Sequence, residues 1–239
     1  ANIVIKLLKS AFSLINSFNL ETVRIIDSRV SQIEVIENLV HEKLTTVVNT
    51  ASSMVINENF VKNVQNQNWK EALDQIKNSM YEFDFIDSIF LANLSGTITA
   101  GSNEGFNEVI GKNYANSDWY LGVVKSGKPY ISNLYKRDNL PQINVFTIAV
   151  PIKYFKYLSA EDKINNKDDN KDNKKNNDNN NKNSEYSNLL IENIGIFAIQ
   201  IKPEIISEWL KNVSVYQNQI IYIVDKNNKL ITHPEYNTE

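Results

Sequence analysis

No glycine and no proline occurs before Gly96 in this 239-residue chain, so its whole first part lacks the two strongest breakers of backbone regularity. From Val23 the apolar positions run Val23, Ile26, Val30, Ile33, Ile36, Val40, Leu44, Val47, Ala51, Met54. Steps of three and four set these on one stripe some eight to nine turns long, on a helix predicted over about 20–56. Glu21 and Asp27 stand near its start, where acidic groups complement the helix dipole. Residues 1–18 are also helix-prone, but Lys6 and Lys9 interrupt them, leaving either a separate short helix or an ordered tail. Asn57 to Asn68 reads as a polar break. Trp69, Leu73, Ile76, Met80 and Phe83 then mark a second amphipathic helix over about 69–83.

The period changes beyond Asp87. Ser88 to Ala92 reads as a strand, Ser95-Gly96 as a turn, and Thr97 to Ala100 as the hairpin partner. Tyr114 to Lys125 is predicted as a short helix, broken by Ser126-Gly127-Lys128-Pro129, with Tyr130 to Tyr135 leading back to the sheet. Two further strands are predicted, over Asn144 to Tyr154 and Ile194 to Ile201. The second is nearly all apolar, as in a strand buried on both faces. Pro203 suits the first position of a helix reaching about Tyr216. Ile220 to Val224 and Lys229 to Thr232, around Asp225-Lys226-Asn227-Asn228, repeat the strand–turn–strand form. Between the two long strands every residue from Asn165 to Asn183 is Asn, Lys or Asp. Such a tract buries too little apolar surface to offset its ordering entropy, so about 161–185 is expected to be a disordered, solvated insertion at a hairpin tip.

Composition excludes several functions. At 42% hydrophobic and 22% charged the chain is of ordinary globular type, and a net charge of −3 gives no reason to expect a nucleic-acid partner. Without cysteine it has no disulfide and no thiolate metal site. His41 and His233 are too few and too scattered for a metal site or a triad. No nucleophile elbow, P-loop or GxGxxG occurs among the seven glycines. No enzyme activity, metal or cofactor is expected, and Asp84 and Asp87 read as solvated turn residues. No stretch reaches the roughly 18 apolar residues of a membrane span. The chain starts at Ala1 without a signal peptide and stops in mid-pattern at Glu239, which reads as a piece of a longer protein.

Chemistry concentrates between Asp87 and Lys153. Tyr114, Trp119, Tyr120, Tyr130 and Tyr135 crowd a short segment flanked by strands, and amphipathic rings in such a place suit the lining of a small-molecule pocket or simple core packing. Arg137 is the one arginine outside the long helix. It reads as an anion partner, with neighbouring Lys136 as its substitute, or as a solvated loop charge beside Asp138. Thr147 and Gln200 are polar positions within apolar strands. A buried Gln200 amide needs its hydrogen bonds met by ligand, backbone or water.

The order of DSIFLANLSGTITA, NYANSDWY…KSGKPYIS, VFTIAVPI and IIYIVDKNNKLITHP resembles the double Cache family, the extracytoplasmic sensor domains of bacterial methyl-accepting chemotaxis receptors. The resemblance runs from about Val23 to the C-terminus. It implies an α+β fold, with a long N-terminal helix, a PAS-like antiparallel-sheet distal module and a truncated second PAS-like module. The implied divisions are a helical segment over 1–86, a ligand-binding distal module over 87–218, and the start of a membrane-proximal module over 219–239. The amino-acid-binding branch of the family has a Tyr and an Arg ahead of a Trp-Tyr pair, and an Asp on the later strand. Here Trp119 and Tyr120 match, and Tyr114 and Tyr135 stand in corresponding places. Ser117 occupies the Arg position and Gln200 the Asp position. Both charged grips on an amino acid are replaced, which implies a neutral or differently charged ligand.

The expected ligand-binding set is thus Tyr114, Ser117, Trp119, Tyr120, Tyr130, Tyr135, Arg137, Thr147 and Gln200. The expected function is small-molecule sensing for chemotaxis by a membrane-anchored receptor, and the stripe of the long helix serves either a homodimer contact or packing against the sheet. The alternatives are the sensor of a histidine kinase or cyclic-nucleotide enzyme, or an adhesion or scaffold module without a small ligand.

Overall fold

A computed structural model describes residues 33–157, 189–210, 223–224 and 230–232. Expectations for residues 1–32, for the Asn/Lys/Asp tract and for the exit helix beyond Leu210 lie outside the described residues. The first described element is a helix over 33–54 (α1), whose less exposed side carries Ile36, Val40, Leu44, Val47, Ala51 and Met54 of the predicted stripe, while Ile33 of that stripe is exposed.

Asn57 to Asn68 is not a break. It holds a two-turn helix, Glu58–Gln65 (α2), started by Asn57, whose Oδ1 accepts hydrogen bonds from the backbone N–H groups of Asn59 and Phe60 at 3.0 and 3.3 Å. Phe60, Val61 and Val64 form its buried side. Two turns are too short for the apolar period to stand out among asparagines. Trp69–Met80 (α3) follows, burying Ala72, Leu73, Ile76 and Met80 at the predicted spacing.

One antiparallel sheet organises the larger unit, Val48–Pro203 with Val224–Lys229. Its strands are Ile86–Ala92 (β1), Ile98–Gly101 (β2), Tyr130–Ile131 (β3), Tyr135–Lys136 (β4), Asn144–Tyr157 (β5) and Leu189–Ile201 (β6), in the order β2-β1-β6-β5-β3 with β4 also on β5. β5 and β6 pair from Phe146↔Ile201 to Tyr157↔Leu189, so the Asn/Lys/Asp tract joins two adjacent strand ends. Helices α2 and α3 lie along one face of the sheet. On it β1 sets Ile89 and Leu91, and β6 sets Phe197 and Ile199, all fully buried. The opposite face is covered by Asp118–Ser126 (α4), shorter than the predicted Tyr114–Lys125 helix, and by a 3-10 turn at Glu104–Glu108.

Under α4 the core contains Phe90, Phe106, Trp119, Val123, Ala149, Ile196 and Ala198. Phe90 and Trp119 meet edge to face at 5.2 Å, an arrangement contributing about 0.5–1.5 kcal/mol beyond the area buried. The cross-strand row Phe90↔Ala198↔Ala149 places two alanines beside the aromatic ring, and this leaves room for the indole above the sheet. Gly96 turns the β1–β2 hairpin at φ +81°, where a Cβ would stand 2.8 Å from the Ala115 backbone. The Tyr120 hydroxyl ties α4 to the same turn by donating to Leu94 O at 2.6 Å.

In the second unit Glu204–Leu210 (α5), directly after Pro203, buries Ile206 and Leu210 and lies beside Leu230–Thr232 (β8). Ile223–Val224 (β7) and β8 pair into a two-stranded sheet, as the second strand–turn–strand pattern predicts. No helix among the described residues is long and apolar enough to cross a membrane.

Candidate functional site

Three polar side chains interrupt three apolar strands at one level. Register pairs Ser88 of β1 with Gln200 of β6, and Gln200 with Thr147 of β5. All three are buried and form a polar row on the sheet face that α4 covers. An unmet polar group here would cost on the order of 1–3 kcal/mol, and the protein itself meets the needs of Gln200. Gln200 Oε1 accepts from Ser88 Oγ at 2.8 Å and from Arg137 Nη1 at 3.1 Å, while Nε2 donates to the Tyr135 hydroxyl at 3.3 Å. Tyr135 in turn shares a 2.6 Å hydrogen bond with Thr147 Oγ1. Burial pushes the Tyr135 hydroxyl pKa up, against the Thr147 and Gln200 hydrogen bonds that lower it.

Arg137 is not a solvated loop charge. Its side chain is 1% exposed, and Nη1 donates to a carboxylate oxygen of Asp87 and, at 3.1 Å, to Ser88 Oγ. Nε donates to Pro141 O at 2.8 Å. Asp87 likewise is no solvated turn residue, because it lies within β1 and binds both Arg137 and, at 3.0 Å, Lys202. Burial would raise its pKa, but the hydrogen bonds and charges of Arg137 and Lys202 outweigh this and hold it below the usual carboxylate value. The backbone holds the loop in place, as Arg137 N donates to Ile143 O at 3.1 Å. Gly105 packs so closely under Leu140 O that a Cβ would lie 1.9 Å from that oxygen.

Over this network lies a cavity of about 210 Å³. Six of the nine expected residues line it: Tyr114, Ser117, Trp119, Tyr135, Arg137 and Gln200. The remaining three stand behind the wall. Thr147 supports Tyr135, Tyr120 packs edge to face on Trp119 at 6.0 Å, and the Tyr130 hydroxyl donates to Asp118 at the start of α4. Trp119 is both core and lining, being 2% exposed. Sequence reasoning missed Phe90, Ile98, Asp138 and Asn139 as lining residues. Asp138 accepts a 3.2 Å hydrogen bond from the Tyr114 hydroxyl. Burial and that neighbouring charge push the Tyr114 pKa up to about 12, so the phenol stays a neutral donor. A larger open groove of about 440 Å³ beside α2 and α3 has no titratable side chain in its lining.

Neither a protein-family model nor a curated protein matches this chain. Solved structures do. The sensory domain of the Campylobacter jejuni chemoreceptor Tlp3 with isoleucine bound superposes with a TM-score of 0.53 at 12% identity, over 86% of this chain and 69% of that one. The chain has the double Cache fold. A second Tlp3 structure, in complex with L-norvaline, matches with a TM-score of 0.52 at 12% identity, over 86% of this chain and 67% of that one. An extracellular ligand binding receptor from Desulfohalobium retbaense gives 0.46 at 11% identity, over 80% of this chain and 30% of that one. The chain thus spans about two thirds of the chemoreceptor domains and under a third of that receptor.

Proposed function

We propose that this chain is the extracytoplasmic ligand-sensing domain of a membrane-anchored receptor, and that its distal module, 87–218, takes a small molecule in the cavity beneath α4. The observation that carries the reading is the convergence of Tyr114, Trp119, Tyr135 and the buried Arg137 on one cavity above the Ser88–Gln200–Thr147 row. A cavity of about 210 Å³ is somewhat larger than one that holds benzene, so the ligand is a compact molecule. A chemotaxis receptor is the output we favour, because the two chemoreceptor structures share the fold and were solved with isoleucine or L-norvaline bound. Residues 219–239 then begin the membrane-proximal module. Ligand under α4 acts by preferring one position of that helix over another, since only differential affinity moves such an equilibrium.

A thermal-shift screen with amino acids, organic acids, amines, nucleobases and sugars tests this. A ligand at about a hundred times its Kd adds about 2.7 kcal/mol of stability. Ser117→Phe, which fills the cavity from a half-buried position, abolishes the shift while the protein stays folded. A hit that survives Ser117→Phe, or a screen without any hit, defeats the reading and favours an adhesion or scaffold module.

A further inference from the structure

Asn139 carries a charge-neutral amide that the fold does not use. It is 3% exposed, yet its Nδ2 has no hydrogen-bond partner among the described residues. Native proteins rarely leave a buried donor unmet, because each such group costs stability. Asn139 also lines the cavity under α4. Burial alternates along the segment that brings it there. Tyr135, Arg137 and Asn139 turn inward, while Lys136, Asp138 and Leu140 are more exposed. Two inward donors therefore stand two residues apart in one cavity. Arg137 commits Nε and Nη1 to protein acceptors, and no acceptor among the described residues takes Nη2. The charged groups in the lining are Lys136, Arg137 and Asp138, two cations to one anion. The half-buried anion behind them, Asp87, is shared with a third cation, Lys202.

We infer that Asn139 is the residue that reads the ligand's head group, donating from Nδ2 to one oxygen of a carboxylate whose charge faces Arg137. The ligand is a small monocarboxylate with an apolar body set against Phe90, Ile98 and Trp119. This rests on the proposed sensing function and gives that site its ligand class. It also accounts for a polar group whose burial serves no protein partner: the amide lowers the stability of the empty protein and is satisfied on binding.

The test uses the full chain with short straight and branched monocarboxylates, each beside its own carboxamide, and the variants Asn139→Leu and Asn139→Asp. Carboxylates, and not carboxamides, raise the melting midpoint of the wild type. Asn139→Leu weakens the best carboxylate at least tenfold by titration calorimetry, and its ligand-free midpoint equals or exceeds that of the wild type. Asn139→Asp, which sets anion against anion, weakens the carboxylate further. A ligand-free Asn139→Leu that melts clearly below the wild type, or does not fold, makes the amide structural and overturns the inference. So does full affinity in that variant. If carboxylates fail while another class in the wider screen succeeds, this inference falls and the sensing function stands. If nothing binds, both fall.

Discussion

Asp87 and Arg137 lie 50 residues apart, and the pair is the least replaceable contact described. Removing one member of a buried ion pair strands the other charge, which costs about 3–5 kcal/mol. Asp87→Asn is therefore expected to lower urea-unfolding stability by about that amount, whereas Asp84→Asn, at an exposed position, changes it little. The pH response has a definite sign. The folded pKa of Asp87 lies below the ordinary 3.8, so its contribution is complete above about pH 4 and is lost as pH falls through the lower folded value. Melting midpoints measured from pH 6 down to pH 2 should fall in that window, with a shallower fall in Asp87→Asn. In the sequence Arg137 stood out as the arginine outside the long helix, but its partner did not. An aspartate near the start of a strand is indistinguishable from a turn residue until the fold brings Arg137 and Lys202 to it. Asn139 gave less signal still, for an asparagine among loop charges looks solvated. Gln200 and Thr147 were legible because each breaks an apolar run.

The start of the α4 helix is tied to the neighbouring strand segment by Asp118. Asp118 Oδ2 accepts from Asn133 N at 2.6 Å and from Asn133 Nδ2 at 2.7 Å, and Oδ1 accepts from the Tyr130 hydroxyl at 3.1 Å. Asp118→Ala removes all three. Hydrogen exchange is expected to quicken across Asp118–Ser126 while β5 and β6, paired along their lengths, keep their protection. Equal loss of protection in the sheet would mean that α4 is not a separately opening unit. The α2 helix makes a different point. Its existence rests on one cap and three buried side chains, so Asn57→Ala should cost about 1 kcal/mol by denaturant unfolding. That helix was illegible because its apolar positions, Phe60, Val61 and Val64, occupy too short a stretch to show a repeat. By contrast α3 and β5 were legible from period and length, whereas β6 begins at Leu189, five residues before the predicted Ile194, because Glu192 and Asn193 interrupt its apolar run. The start of the α4 region was misjudged because Tyr114 packs on the core without being helical.

Across the molecule, β5 and β6 pair antiparallel as their reading as hairpin partners expects, while the Asn/Lys/Asp tract between them lies outside the described residues. Tyr157 and Leu189 pair directly, so residues 158–188 close a loop whose ends are already neighbours. Replacing them with a four-residue turn shortens that loop by about three halvings, which should raise stability by about 2 kcal/mol. A chemical-denaturation curve on the shortened protein checks this, and lower stability would assign the tract a packing role. The double Cache fold was readable from the order of its elements, whereas the charge network was not, because it joins residues from β1, the β4–β5 loop and the end of β6. That network has one more consequence. Asp87 gives one oxygen to Arg137 at the cavity and the other to Lys202, the last residue before Pro203 and α5. A carboxylate divided between two cations cannot hold both unchanged once a third charge arrives. Were the proposed anion to draw on Arg137, more of the Asp87 charge would be left to Lys202, the residue that follows β6. Occupancy would then reach the end of the sheet as a small redistribution of negative charge.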